Sequence, residues 1–289
     1  MQMYRAVCSI LVMSVVGTLS VNNDHPLLLE IQEHQEVPHL LVRYKEESNA
    51  LSSHGYDVLP GQFPYHALLN VKNDVEAATT LASGALITPN YVLTLAQTFH
   101  SIIVRYGSAY GYAELGYRYR SDRERQQQAE FKHAGILMHP QYTGGLLNNI
   151  ATVRLERPVT LNRYVQPIRL PRLSDARTYE AMEGTAVGSM YNGTLRYLRN
   201  EVISNGQCQE LHPHAFINGQ QLCTNAYIGG AFCNRLYGAG LMVEDENGPI
   251  LIGLTSLIYS CSLNHPILYV RVSEFRDWIG SNSNYVYDS

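Results

Sequence analysis

Short apolar runs, separated by clusters of turn residues, recur along the chain from Gly61 onward. Runs of about four to eight residues bounded by Gly, Pro, Asn and Asp are typical of the strands of an all-β barrel or sandwich. The first group of runs comprises residues 65–71, 84–87, 91–96, 102–106, 135–138 and 150–155, and the second comprises 185–190, 240–244, 250–257 and 267–272. The pattern therefore predicts two β domains in tandem.

A proline-containing connector, residues 165–171, separates the two groups of runs. After the last run, Ser273 precedes a segment that contains Arg276 and Trp278, and a serine in this place is typical of a helix cap. We therefore expect a short C-terminal helix over residues 273–280, followed by a tail over 281–289.

The first 54 residues do not share this strand pattern. Arg5 precedes an apolar stretch, residues 6–16, and small residues follow it, so residues 1–20 are predicted to be a signal peptide. The stretch is shorter than the roughly 20 apolar residues that a membrane-spanning helix needs. Residues 21–54 are rich in acidic side chains and have no clear period, which favours a loosely ordered extension. The sequence thus predicts secretion without a membrane anchor.

The balance of charge argues against a nucleic-acid partner. The formal net charge is -4, whereas phosphate binding needs a concentrated basic face. The densest basic run, residues 118–125, is interrupted by Asp122 and Glu124, which favours an exposed loop.

The histidines of the N-terminal extension do not predict a metal site. Their spacings lack the short pairs that metal ligation favours. We therefore expect surface histidines, and neither a metal nor a cofactor; the four residues are His25, His34, His39 and His54.

Cysteine usage predicts disulfides in the second half of the chain. Cys8 lies in the predicted signal peptide, so the mature chain would keep Cys208, Cys223, Cys233 and Cys261. An even number of cysteines in a secreted chain indicates two disulfides, and four cysteines allow three pairings. The spacing alone does not choose among them.

Several of the apolar runs resemble, in order and spacing, the sequence motifs of trypsin-like serine proteases. The matching segments are Gly61-Gln62-Phe63-Pro64-Tyr65-His66, Ser83-Gly84-Ala85-Leu86-Ile87, Tyr91-Val92-Leu93-Thr94, Ile150-Ala151, Val165-Gln166-Pro167-Ile168, Leu251-Ile252-Gly253-Leu254-Thr255-Ser256 and Tyr269-Val270-Arg271-Val272. The resemblance covers about residues 55–280. It implies two six-stranded antiparallel β-barrels, one over about residues 55–164 and one over about 165–272.

The same resemblance implies that every catalytic position is occupied by an unsuitable residue. Catalysis in this family needs a serine hydroxyl, a histidine that takes its proton, a carboxylate that orients the histidine, and backbone donors for the oxyanion. Gln97 stands in place of the histidine, Asn149 in place of the carboxylate, and Tyr237 in place of the serine. Arg235 replaces a glycine of the oxyanion hole. A phenol with a pKa near 10 is a poor nucleophile toward peptides at neutral pH, so we expect no proteolysis.

Activation and substrate selection are also expected to be lost. Family members are activated by cleavage before an Ile-Val-Gly-Gly start, whose amino group then pairs with an Asp before the serine. Here residues 51–55 have no Arg or Lys just before them, and the Asp is replaced by Leu236. Ala231 takes the place of the charged selector of tryptic members, while Ile258 and Ile267 replace glycines of the pocket walls. We expect these branched side chains to occlude the pocket.

The family pattern and one local motif predict covalent modifications. By the family pattern, Cys208 pairs with Cys223 and Cys233 pairs with Cys261. The sequence Asn192-Gly193-Thr194 matches an N-glycosylation acceptor, with a chance match as the alternative.

The leading hypothesis is a secreted, non-catalytic serine protease homologue that acts by protein binding. The chain resembles invertebrate homologues that act as cofactors, decoys or regulators in extracellular fluids such as seminal fluid or haemolymph. The expected partner is an extracellular protein, either an active protease or another homologue. Many such homologues carry a disulfide-knotted clip domain, but the predicted mature residues before Cys208 contain no cysteine, so none is expected here.

Two alternatives stay open. One is a weak or atypical serine-type endopeptidase, for instance one that uses Tyr237 as its nucleophile. The other is a structural subunit of an extracellular complex.

Overall fold

The computed structural model describes residues 55–76, 78–117, 119, 125–190, 193–225, 236–258 and 266–288. The predicted signal peptide and N-terminal extension lie outside these ranges, as do Asn192, Ala231, Cys233, Arg235 and Cys261. In chain order the elements are β1 (Tyr56–Asp57), β2 (His66–Lys72), β3 (Thr80–Thr88), β4 (Tyr91–Thr94), α1 (Gln97–Tyr106), β5 (Tyr110–Leu115), β6 (Gln127–Phe131), β7 (Ile136–Met138), β8 (Ala151–Arg154), β9 (Glu183–Ser189), β10 (Leu195–Ile203), α2 (Asn205–Leu211), β11 (Gln221–Thr224), β12 (Gly240–Asp245), β13 (Gly248–Ile258), β14 (Ile267–Arg271) and α3 (Arg276–Ser281), with 3₁₀ turns at His133–Gly135 and Val272–Phe275. No helix in this described part of the chain has the length and hydrophobicity needed to span a membrane.

Strands β2 to β8 form the first sheet, in the order β6-β5-β2-β3-β4-β8-β7. Ala67, Leu69 and Val71 of β2 alternate along the strand and lie in the apolar cluster inside this sheet. Leu68 points to the opposite face and belongs to a second cluster, which also contains Leu254 of β13. Because β2 is buried on both faces, its sequence is an almost continuous apolar run.

The remaining strands form the second sheet, in the order β1-β10-β11-β14-β13-β12-β9. An additional antiparallel pairing of β9 with β10 closes six of these strands into a barrel, and β1 lies outside it against β10. The interior of the barrel is apolar, with Leu198, Leu241, Ile252 and Tyr269 among its buried side chains.

The predicted all-β fold, with two antiparallel units and a short C-terminal helix, is confirmed. The second unit is a closed six-stranded barrel. The first is a curled seven-stranded sheet, because no pairing joins β6 to β7 among the described residues. The difference from two closed barrels therefore lies at the edge strands of the first unit.

One predicted strand is wrong, because residues 102–106 form the end of helix α1. Phe99 and Ile102 are buried on one side of this helix, at a spacing that suits a helical face. Gly107, with φ +78°, ends the helix by donating its N–H to the carbonyl of Ile103. The apolar run was thus part of a helical pattern that starts at Gln97.

The C-terminal helix does not begin with the predicted serine cap. Ser273 lies within the 3₁₀ turn, and Phe275, which has no capping side chain, precedes the first residue of α3. Phe275 and Ile279 are buried in the apolar cluster that also contains Leu68 and Leu254. Packing of these two side chains, rather than a polar cap, therefore sets the position of the helix.

A disulfide joins α2 to β11 through Cys208 and Cys223, as the family pattern implies. Their Cα atoms are 6.2 Å apart and the two residues are 15 positions apart in the sequence. Closure of a loop of this length is worth roughly 3 kcal/mol in chain-entropy estimates. The second predicted pair lies outside the described residues.

Candidate functional site

Gln97 and Asn149, which the sequence predicts to stand in place of the catalytic histidine and carboxylate, bond to each other. Asn149 Nδ2 donates to Gln97 Oε1 at 2.7 Å, and the backbone N–H of Gln97 donates to Asn149 Oδ1 at 2.9 Å. Gln97 is the first residue of α1, and Ala96 before it provides no side-chain cap. Asn149 therefore satisfies one of the unpaired amides at the start of this helix. Asn149 itself is fully buried.

A second amide pair, which the sequence did not indicate, holds Asn149 in place. The residue before it, Asn148, has a left-handed backbone with φ +54°. Its N–H donates to Gln220 Oε1 at 2.8 Å, and Gln220 Nε2 donates to Asn148 Oδ1 at 3.1 Å. Gln220 directly precedes β11, so this contact links the loop before β8 to the second sheet. In the sequence, only the Asn-Asn pair before a predicted strand points to this amide contact.

Tyr237 lies on a short segment whose backbone is fixed by three strands. Its carbonyl accepts from the N–H of Ser83 in β3 at 2.8 Å. The N–H of Leu236 donates to the carbonyl of Ser189 in β9, and the N–H of Gly238 donates to that of Thr255 in β13, both at 2.9 Å. The Tyr237 ring is partly buried against the apolar cluster shared by the two sheets. Backbone hydrogen bonds to three strands thus hold Tyr237, the residue that the sequence predicts to replace the serine.

Leu236 is part of that apolar cluster and is 2% exposed. A carboxylate at this position would be buried among hydrocarbon and would need a cationic partner. Leucine needs none, so Leu236 is held by packing and by the hydrogen bond from its N–H to the carbonyl of Ser189.

The two isoleucines predicted to occlude the substrate pocket are neighbours in the second sheet. Ile258 of β13 pairs with Ile267 of β14, and both are buried in the apolar interior of the barrel. Ala231, the third predicted pocket residue, and Arg235, at the oxyanion position, lie outside the described residues.

The chemistry available to this arrangement is limited. Neither amide of the Gln97 and Asn149 pair can take a proton near neutral pH. Within the described ranges, no group of three or more His, Cys, Asp or Glu side chains could hold a metal ion. The pair can orient and stabilise α1, but it cannot activate a hydroxyl.

Replacing Asn149 by leucine is expected to lower the free energy of unfolding by about 1–3 kcal/mol, because two amide groups of Gln97 lose their partner. Asn149→Asp keeps an acceptor for the Gln97 N–H, but it buries a carboxylate without a cationic partner, so it is also expected to destabilise the chain. Urea unfolding at pH 7 measures both variants. A leucine variant as stable as the original chain would show that the pair adds nothing to stability.

Comparison with known proteins agrees with this architecture. The family model described as Trypsin matches residues 53–279. The chain is 27% identical to a collagenase of Hypoderma lineatum, over 81% of this chain and 87% of that protein. It is 27% identical to trypsin of Sus scrofa, over 78% and 92%. It is also 28% identical to the inactive CLIP domain-containing serine protease A8 of Anopheles gambiae, over 76% of this chain and 64% of that protein.

A solved structure shares the fold. The structure of HL collagenase superposes with a TM-score of 0.66 at 24% identity, covering 81% of this chain and 99% of that one. The family match extends over most of the sequence and includes both sheets and the start of the C-terminal helix. The chain therefore belongs to the trypsin family of serine proteases.

Proposed function

We propose that this chain is a secreted, non-catalytic member of the trypsin family that acts by binding another extracellular protein. The observation that carries the proposal is the bond between Gln97 and Asn149, the residues predicted to replace the catalytic histidine and carboxylate. The predicted replacement of the serine by Tyr237 adds to it. General-base activation of a nucleophile needs a group that accepts a proton and a second group that orients it. Here both groups are amides that already satisfy each other.

The buried Leu236 supports the same proposal. In an active member the residue at this position carries the charge that orders the site after proteolytic activation. Leu236 is an apolar residue in an apolar cluster and offers no negative charge to a new amino group. The ion pair that would follow activation by cleavage therefore cannot form. The framework around the site is nevertheless complete, with two packed sheets and a disulfide. Preservation of the fold beside such a site favours a role in binding.

The naming of one relative as an inactive serine protease is consistent with this proposal. The partner that we propose is an extracellular protein, either an active protease or another homologue, and the chain would act on it as a cofactor, decoy or regulator. Crosslinking of the secreted protein in its own fluid, followed by mass spectrometry, would identify this partner.

A fluorophosphonate probe tests the absence of catalysis. We expect no covalent labelling of the purified chain under conditions that label porcine trypsin completely, because phosphonylation requires an activated hydroxyl. The matched control is Tyr237→Phe, which removes the hydroxyl and keeps the ring. Labelling of the original chain that is lost in Tyr237→Phe, with the adduct mapped to residue 237, would overturn the proposal.

A further inference from the structure

A surface cavity of about 380 Å³ lies beside the connector, and residues 97, 149 and 237 are not among the residues that line it. Cavities of this size, between about 300 and 1,000 Å³, are typical of ligand sites. Its walls combine apolar side chains with charged groups, including Phe63, Tyr65, Pro167, Met242, Arg199 and Glu244. We propose that this cavity binds a short basic segment of a partner protein, with an arginine or lysine side chain paired to Glu244.

The charge of the cavity is the first argument for a cationic ligand. Arg169 donates to Asp245 Oδ1 at 3.0 Å and to the carbonyl of Gly248 at 2.8 Å. Arg199 pairs with Glu183 at 3.4 Å. The carboxylate of Glu244, in contrast, makes no ion pair or hydrogen bond with any described residue. Glu244 is exposed at the rim of the cavity, so its carboxylate is accessible to a cation of a bound ligand.

The second argument is a buried donor without an acceptor. Tyr65, which lines the cavity, is 2% exposed, and its hydroxyl has no hydrogen-bond partner among the described residues. Burial, and then the charge of Glu244, raise the pKa of Tyr65, so the hydroxyl stays protonated. Buried hydroxyls are nearly always bonded, and an unmet one costs about 1–3 kcal/mol. A backbone carbonyl of the bound segment would supply the missing acceptor once a shift of the Tyr65 ring brings its buried hydroxyl to the cavity wall.

The third argument is a row of aromatic rings that leads out of the cavity. Phe63 contacts Tyr65 edge-on at 6.4 Å and Tyr197 at 5.2 Å. Tyr197 in turn contacts Tyr56, which is 53% exposed, at 5.6 Å. Aromatic faces attract guanidinium and ammonium groups and are enriched at protein interfaces. The row therefore extends the cavity into a surface that favours a basic partner.

Binding of two blocked pentapeptides to the full secreted chain tests the proposal. The probes are acetyl-Ala-Ala-Arg-Ala-Ala-amide and the same peptide with glutamate at its centre. Binding is measured from the NMR chemical-shift changes of the protein. We expect the arginine peptide to bind with shifts at Glu244 and Met242, and the glutamate peptide not to bind. Equal binding of the two peptides, or no binding of the arginine peptide at millimolar concentration, would overturn the proposal.

Three variants locate the site. Glu244→Gln is expected to weaken binding of the arginine peptide about tenfold, which is the effect of losing a charged hydrogen bond. Glu246→Gln makes the same charge change on an exposed neighbour that does not line the cavity, and it should leave affinity unchanged. Tyr65→Phe should weaken binding without lowering thermal stability, because the Tyr65 hydroxyl has no hydrogen-bond partner among the described residues of the free protein. Equal effects of the two glutamate variants would contradict the assignment, while leaving the non-catalytic proposal intact.

Discussion

Replacement of Gly238 by alanine is expected to lower the free energy of unfolding by more than about 4 kcal/mol, a large part of the stability of an ordinary domain. Gly238 has φ +83°, a conformation that L side chains rarely adopt. A Cβ atom there would lie 2.1 Å from the carbonyl oxygen of Ser83 and 2.8 Å from Thr94 Oγ1. Thr94 Oγ1 donates to that same carbonyl at 2.7 Å, so neither atom can move without breaking a buried hydrogen bond.

The matched control for this variant is Gly107→Ala. Gly107 has a similar φ of +78°, but a Cβ atom there would meet no atom within 4 Å. The control therefore measures the backbone strain alone, which is about 1–2 kcal/mol. Unfolding in urea, followed by the fluorescence of the single tryptophan, Trp278, compares the two. Similar losses in both variants would show that the close approach of Gly238 to β3 does not constrain the segment after Tyr237.

The apolar pattern predicts the strands with long apolar runs and misses strands with more polar sequences, among them β5, β6, β10 and β11. β2 and β13 are buried almost throughout, so their composition alone marks them as strands. β6 (Gln127–Phe131) lies at the edge of the first sheet and buries only Ala129 and Phe131. β10 likewise alternates between buried and exposed positions, with charged side chains on its outer face. Pairing with a neighbour, rather than hydrophobicity, decides that these segments are strands.

The sequence predicts which residues form the candidate site, but not the contacts between them. The family resemblance assigns Gln97 and Asn149 to their positions one by one. That the two bond to each other depends on the orientation of amides 52 residues apart, which no local pattern encodes. The cavity that contains Glu244 was missed for a related reason, since its walls come from several separate segments of the chain.

A buried histidine between the two sheets makes the fold sensitive to acid. His66 of β2 is 2% exposed, and its Nε2 shares a hydrogen bond of 2.7 Å with Ser189 Oγ of β9. Tyr117 also bonds to Ser189 Oγ, while His66 Nδ1 has no partner among the described residues. Glu114 of β5 lies on the same face of the sheet and is bonded to Gln128 Nε2 at 3.4 Å. A proton on His66 would therefore be buried without a counter-ion beside it.

Burial lowers the pKa of His66 to about 3, from an ordinary value of 6.5. As the pH falls below about 6.5, the unfolded chain binds a proton that the folded chain does not, so the free energy of unfolding decreases. The loss is about 1.4 kcal/mol for each pH unit, or about 2 kcal/mol at pH 5, and it continues until about pH 3. The stability from the neutral histidine is thus complete above about pH 6.5.

Between pH 7 and pH 5, the decrease in the free energy of unfolding is expected to be about 2 kcal/mol smaller in His66→Gln than in the original chain. The reason is that glutamine can bond to Ser189 without titrating. Urea unfolding at several pH values gives, for each variant, the slope of the free energy of unfolding against pH. A change in stability that is the same at every pH does not alter this slope. His133→Gln, at an exposed position, should keep the original slope. The range stops at pH 5, because Asp175, whose bond to Arg177 lowers its pKa to about 2, adds its own loss in stronger acid. An unchanged slope in His66→Gln would mean that His66 takes up its proton in the folded chain, with water or a local rearrangement supplying the partner that its Nδ1 lacks.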